Sequence, residues 1–141
     1  LAINGTFGVA IEDIIDSSKV TSLQLTPVSD FSMDAHGGAK STLSDEGISI
    51  KIHVDVADTN ERLSRNIQGT DGKPLKFTLS VALAHELGHA WGAVRDQTFE
   101  RIKQLRFYQS SADIELQNNN RAVQLENIER QRLGLGLKWR H

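Results

Sequence analysis

A chain of 141 residues with 38% hydrophobic and 24% charged residues can bury the core of one domain, which excludes a disordered tail. A formal charge of -2, with no long basic cluster, excludes nucleic acid and an anionic membrane as expected partners. With no cysteine there are no disulfides or thiolate zinc sites, and no apolar run approaches the roughly 20 residues of a membrane span.

The first residues, LAING, carry neither an initiator Met nor the layout of a signal peptide, so a C-terminal piece of a longer protein is expected, with 1–141 as one domain. Phe7, Ala10, Ile11, Ile14 and Ile15 recur at helical spacing and predict a helix over 6–17, with Thr6 as its cap. VTSLQLTP alternates through Leu23 and Leu25 and stops at Pro27, as a short strand would. Residues 28–46 are small and polar and read as a loop marked by Gly37 and Gly38.

The clearest strand is GISIKIHVDVA, 47–57. Ile48, Ile50, Ile52, Val54 and Val56 face one side, and Ser49, Lys51, His53 and Asp55 the other. Strict alternation predicts one buried and one wetter face, as in an antiparallel or edge strand. A turn-rich connection, NIQGTDGKP, follows. From Leu79 an apolar stripe through Leu83, Leu87, Ala90 and Val94 predicts a helix capped by Thr78 or Ser80 and ending near Gly92. Phe99, Ile102 and Leu105 suggest a helix over 98–109, and NRAVQLENIERQRL another over 120–133, after a polar NNN run. Helix, strands and then helices make an α+β domain.

The helix expected from Leu79 carries HELGH. His85 and His89, four apart, stand on one helical face about a turn from each other, so both imidazoles can meet one zinc at about 2.0–2.1 Å. Glu86 is rotated by roughly 100° from His85, too far to share the metal easily but well placed to hold a water bound to it. It is therefore the expected general base, taking a proton and passing it to the leaving amine. The core stripe lies opposite, and Ala82 and Gly92 are expected to keep the histidine face small enough for a substrate backbone.

The third ligand is less direct. In the metzincin pattern HExxHxxGxxH, Gly92 matches but Arg95 stands where the third histidine belongs, and the only Met, Met33, lies upstream. That pattern fails. The remaining solution is a carboxylate from a later helix, from Asp96, Glu100, Asp113, Glu115, Glu126 or Glu129. Glu126, beside Val123, Leu125 and Ile128, is favoured; Asp96 and Glu129 stand behind it, and Glu129 is the alternative for orienting a histidine. Against either of the two helix glutamates stands an ordinary surface pair with Arg130 or Arg132.

HELGHAWG, followed by AVQLENIERQRLGLGLKWRH, resembles the zinc metallopeptidase family of the NleD-type effectors, with related domains at the C-termini of large Rhs-type toxins. The shared features are the HExxH helix, an E-N-x-x-R helix at Glu126, Asn127 and Arg130, and a Gly-Leu-x-Leu ending from Gly134 to Leu137 with Lys138 or Arg140 as its basic residue. The similarity covers roughly the second half of the chain. It implies a zincin-like single domain, with a small antiparallel or mixed sheet packed on the HExxH helix and C-terminal helices. The implied function is a zinc endopeptidase, an effector or toxin domain secreted or delivered into a target cell. His141 stands where relatives tend to have Tyr, a position suited to steadying an oxyanion, with Tyr108 as a weaker choice. The expected partners are a protein substrate and an immunity or inhibitor protein. KFTLSVALAHELGHAWG also resembles the ImmA/IrrE-type regulatory peptidases, but their later Glu-x-x-Ala-Asn-x-Phe-Ala pattern has no match in 98–141. From a different class, the rival is a non-enzymatic adaptor or secretion-cargo module whose helix holds a structural metal or none.

Overall fold

The computed structural model describes residues 5–26, 38–44, 47–53 and 68–139. Helix α1 spans Gly5–Asp16 and buries Phe7, Ala10 and Ile14, three of the five positions whose spacing predicts it. Thr6 lies inside the helix rather than at its cap, and Ile15 points outward.

Three strands follow: β1 (Val20–Thr26), β2 (Ala39–Leu43) and β3 (Gly47–His53). Their order is β1-β3-β2, so β3 is interior. It pairs in parallel with β1, Val20 opposite Gly47 and Thr26 opposite His53, and antiparallel with β2, Ala39 opposite Ile52 and Leu43 opposite Ile48. Alternation in β3 holds for Ile48, Ile50 and Ile52, all buried. Each such side chain contributes roughly 1.5–3 kcal/mol.

Two expectations change here. β3 is not an edge strand, since β1 and β2 pair with it on either side, and its expected wetter face is wet only in part: Lys51 is exposed, Ser49 half-buried and His53 fully buried. Residues 39–43, read as loop, form β2; AKSTL is too short and too polar to announce itself as a strand. The rest of the expected strand, 54–57, lies outside the described residues.

Residues 68–74 form a tight turn closed by a bridge between Gln68 and Pro74, and the chain then enters α2 (Leu79–Arg95). Thr78 caps α2, its Oγ1 accepting from the Val81 N–H at 3.2 Å. The stripe of Leu83, Leu87 and Val94 is only half-buried, because α2 is a central helix covered on several sides. Val81, Ala82, Ala84, Ala90, Trp91 and Ala93 are all buried. Toward α1, Asp13 accepts from Trp91 Nε1 at 2.9 Å and from Arg95 Nη1 at 3.2 Å.

Helix α3 is a short piece, Thr98–Lys103, and Phe107 and Tyr108 follow it in an exposed turn. Helix α4 runs from Ala112 to Arg132, starting well before the expected position and passing straight through the NNN run. It ends in a Schellman turn: Gly134 takes φ +71°, Leu135 N–H donates to Arg130 O at 2.8 Å and Gly134 N–H to Gln131 O at 3.2 Å.

The two long helices lie antiparallel and almost backbone to backbone. A Cβ on Gly88 would stand 2.4 Å from Ala122 Cα and 2.6 Å from Arg121 O. A Cβ on Gly92 would stand 2.7 Å from Asn118 Nδ2. Gly92 therefore sits inside the helix as a packing glycine, covered by α4 rather than open to a substrate. Among the described residues the chain is an α+β domain with a three-stranded mixed sheet and four helices, and none of the helices is long and apolar enough to cross a membrane.

Replacing Gly88 with Ala should force α4 outward and lower the unfolding free energy by about 1–3 kcal/mol, despite the better helix propensity of Ala. Urea denaturation measures this. A variant as stable as the parent would show that the helices are not in backbone contact.

Candidate metal centre

His85, Glu86 and His89 occupy consecutive turns of α2, and their ligand-type atoms all lie within 4.8 Å of one another. Among the described residues this is the one such group of histidine and carboxylate atoms. The two Nε2 atoms stand 3.2 Å apart. Two nitrogens bound to one tetrahedral zinc are separated by about 3.3 Å, given Zn–N distances of about 2.0–2.1 Å. The pair therefore already has the spacing of one edge of a zinc shell.

What lies behind each ring sets its tautomer. His85 Nδ1 donates to Glu126 Oε1 at 2.7 Å. His89 Nδ1 donates to Asn118 Oδ1, and the Asn118 amide is held in that orientation because its Nδ2 donates to His89 O at 3.0 Å and to Thr98 Oγ1 at 3.4 Å. Both rings thus carry their hydrogen on Nδ1, and in their neutral forms both turn a lone pair on Nε2 toward the same point. A cation placed between them would accept both lone pairs. This donor set fits a zinc ion, with His85 and His89 as the residues to hold it.

Glu86 is buried, at 5% exposure, and Ser41 Oγ of β2 donates to its Oε2. One carboxylate oxygen is thus engaged by the sheet. Nothing in the sequence marked Ser41 or Asn118, since both lie in small polar stretches without periodicity.

Glu126 is placed differently from the expected third ligand. Its carboxylate sits behind His85, on Nδ1, and does not join the Nε2 side of the rings. This is the orienting position that the sequence reading offered to Glu129. Glu129 instead pairs with Arg132, at 2.8 Å from Nη2 to Oε2. Asp96 is held by Arg121 through two bonds, at 2.9 and 3.0 Å, and Glu100 pairs with Lys19 at 2.8 Å. Asp113 and Glu115 are exposed. Tyr108 is exposed too, its hydroxyl accepting from Arg106 Nη1 at 3.4 Å, so the weaker choice for an oxyanion group is not in the cluster. His141 lies outside the described residues.

Although Glu126 is only 1% exposed, it remains charged. Burial by itself would raise its pKa. The hydrogen bond from His85 and the charges of Lys138, His85 and Arg130 outweigh that and bring it from 4.5 down to about 2. Arg130 Nε donates to Glu126 Oε2 at 2.6 Å, and Lys138 Nζ stands 3.8 Å from Oε1. No family model, no curated protein and no solved structure matches this chain.

A carboxylate with a lowered folded pKa stabilises fully above its ordinary value of 4.5, and that stabilisation disappears as the pH falls toward about 2. Metal-free protein should therefore lose stability across this window, and Glu126→Gln should flatten the slope there. Urea midpoints at a series of pH values measure it; an unchanged slope would mean that Glu126 does not carry the charge.

Proposed function

We propose that the chain is a zinc-dependent endopeptidase, with His85 and His89 as metal ligands through Nε2 and Glu86 as general base. The observation that carries this reading is the pair of Nε2 atoms 3.2 Å apart, each backed by an acceptor on its own Nδ1. Zinc bound there supplies a Lewis acid that polarises a substrate carbonyl and acidifies water. Glu86 takes a proton from the attacking water and delivers it to the leaving amine nitrogen. Ser41 donates to Oε2 of that carboxylate and so helps to set its orientation. Glu126 and Asn118 are assigned to orienting the two rings rather than to binding the metal. His141, as an oxyanion donor, is part of the same proposal.

The substrate seat belongs to β2 rather than to β3. β2 is the outer strand on the side where Ser41 meets Glu86, so an extended peptide adding to it as a further strand would carry its backbone toward the carboxylate. The resemblance to effector and toxin peptidases adds the setting: a protein substrate met inside a target cell, with an immunity or inhibitor protein as the natural antagonist.

The purified protein should bind one zinc ion, which His85→Ala and His89→Ala lose while remaining folded by circular dichroism. Glu86→Gln should keep the metal and lose cleavage of a random peptide library by about 10²–10⁴-fold. Expression in the cytosol of a target cell should be toxic, and Glu86→Ala should abolish the toxicity. Global unfolding on chelation would indicate a structural metal instead, and a Glu86→Gln variant with full activity would overturn the assignment.

A further inference from the structure

We infer that Asn127, together with the tail segment 135–138 that it grips, is a positioning element for the metal site. The inference rests on the zinc reading above and extends it to residues that touch neither metal nor substrate. After the Schellman turn at Gly134 the chain doubles back along α4. There Asn127 Nδ2 donates to Lys138 O at 2.8 Å, and Lys138 N–H donates to Asn127 Oδ1 at 2.8 Å. One side-chain amide thus closes a two-bond ring with the backbone of a single residue, as a neighbouring strand would.

Other parts of the molecule hold the same segment. Leu137 O accepts from Thr70 N–H at 2.9 Å, tying the tail to the turn before α2. Arg130 Nη1 donates to Lys76 O at 2.6 Å and to Gly136 O at 3.4 Å, while its Nε holds Glu126. A Cβ on Gly69 would meet Leu137 O at 2.8 Å, so the turn is shaped to admit the tail. The gripped residue, Lys138, brings its ammonium to 3.8 Å from Glu126 Oε1, the oxygen that accepts from His85.

Asn is a poor helix former, and α4 gains nothing locally from one at this position. Its two hydrogen bonds act elsewhere. They keep the tail over Glu126, hold a cation beside it and exclude water from the bond between Glu126 and His85. A hydrogen bond to a charged group weakens when water competes for it. Partners that orient a metal-binding histidine typically change metal affinity by about 10–100-fold when removed. Asn127 acts one step further out, and the expected loss is roughly tenfold.

The test is zinc affinity by competition with a chromophoric chelator, at a temperature where each protein is fully folded, alongside the visible spectrum of the cobalt-substituted form. Asn127→Ala should weaken zinc roughly tenfold, shift the cobalt spectrum and speed hydrogen exchange at the Lys138 amide. Asn120→Ala, an exposed change on the same helix, should do none of these. Asn127→Gln, which keeps the amide but displaces it by one methylene, should lie between and serves if the alanine variant does not fold. A folded variant with a released Lys138 amide but unchanged zinc affinity and cobalt spectrum overturns the inference. Absence of zinc binding in the parent protein overturns the metal reading itself, and this inference with it.

Discussion

At Gly88 the helix that bears the histidines meets Ala122 of α4 with no side chain between them, and this contact fixes the reach of every other pair across the interface. One residue beyond it, His89 meets Asn118; three residues before it, His85 meets Glu126. A short amide suffices at one end and a longer carboxylate at the other. Moving the helices apart by the width of a methyl group would stretch both bonds past useful length. Packing and the placement of the two histidine rings are therefore one constraint, set by the one residue type that has no side chain.

The price of this arrangement is a charged carboxylate held away from water. Burying an unpaired carboxylate costs several kcal/mol, and the surrounding groups must offset it. Glu126 is bonded by Arg130 and His85 and faced by Lys138. Arg130 is itself fully buried, with its guanidinium 4.9 Å from the centre of the Phe77 ring and two backbone carbonyls on Nη1. Only a planar fork can face a carboxylate, a ring and two carbonyls at once, so a lysine would not substitute at this position.

Parts of this were legible in the sequence because they follow from local rules. Helical spacing in Phe7, Ala10 and Ile14, alternation in Ile48, Ile50 and Ile52, and the Thr78 cap each appear where expected. The convergence of His85 and His89 follows from a four-residue interval alone. Helix α4 was harder to see. Its buried face mixes Ile114, Ala122 and Leu125 with Asn118, Glu126, Glu129 and Arg130, which bond one another or α2, so apolar periodicity nearly vanishes. A polar run then reads as a loop, and Asn118 is lost with it. The side of His85 on which Glu126 falls depends on how closely two helices approach, and sequence spacing within one helix carries no such information. The signal that was present is Gly88 and Gly92, four apart and interleaved with the histidines.

That interleaving has a further effect. His85, Gly88, His89 and Gly92 form one continuous stripe at i, i+3, i+4 and i+7, and α4 lies along it. The same helix thus closes off the Nδ1 side of both rings, and the Nε2 atoms point away from it. Among the described residues, α4 is the wall behind both rings. Any change in how α4 packs on α2 is therefore felt first at the two ring Nδ1 bonds, and through them at the orientation of both Nε2 atoms.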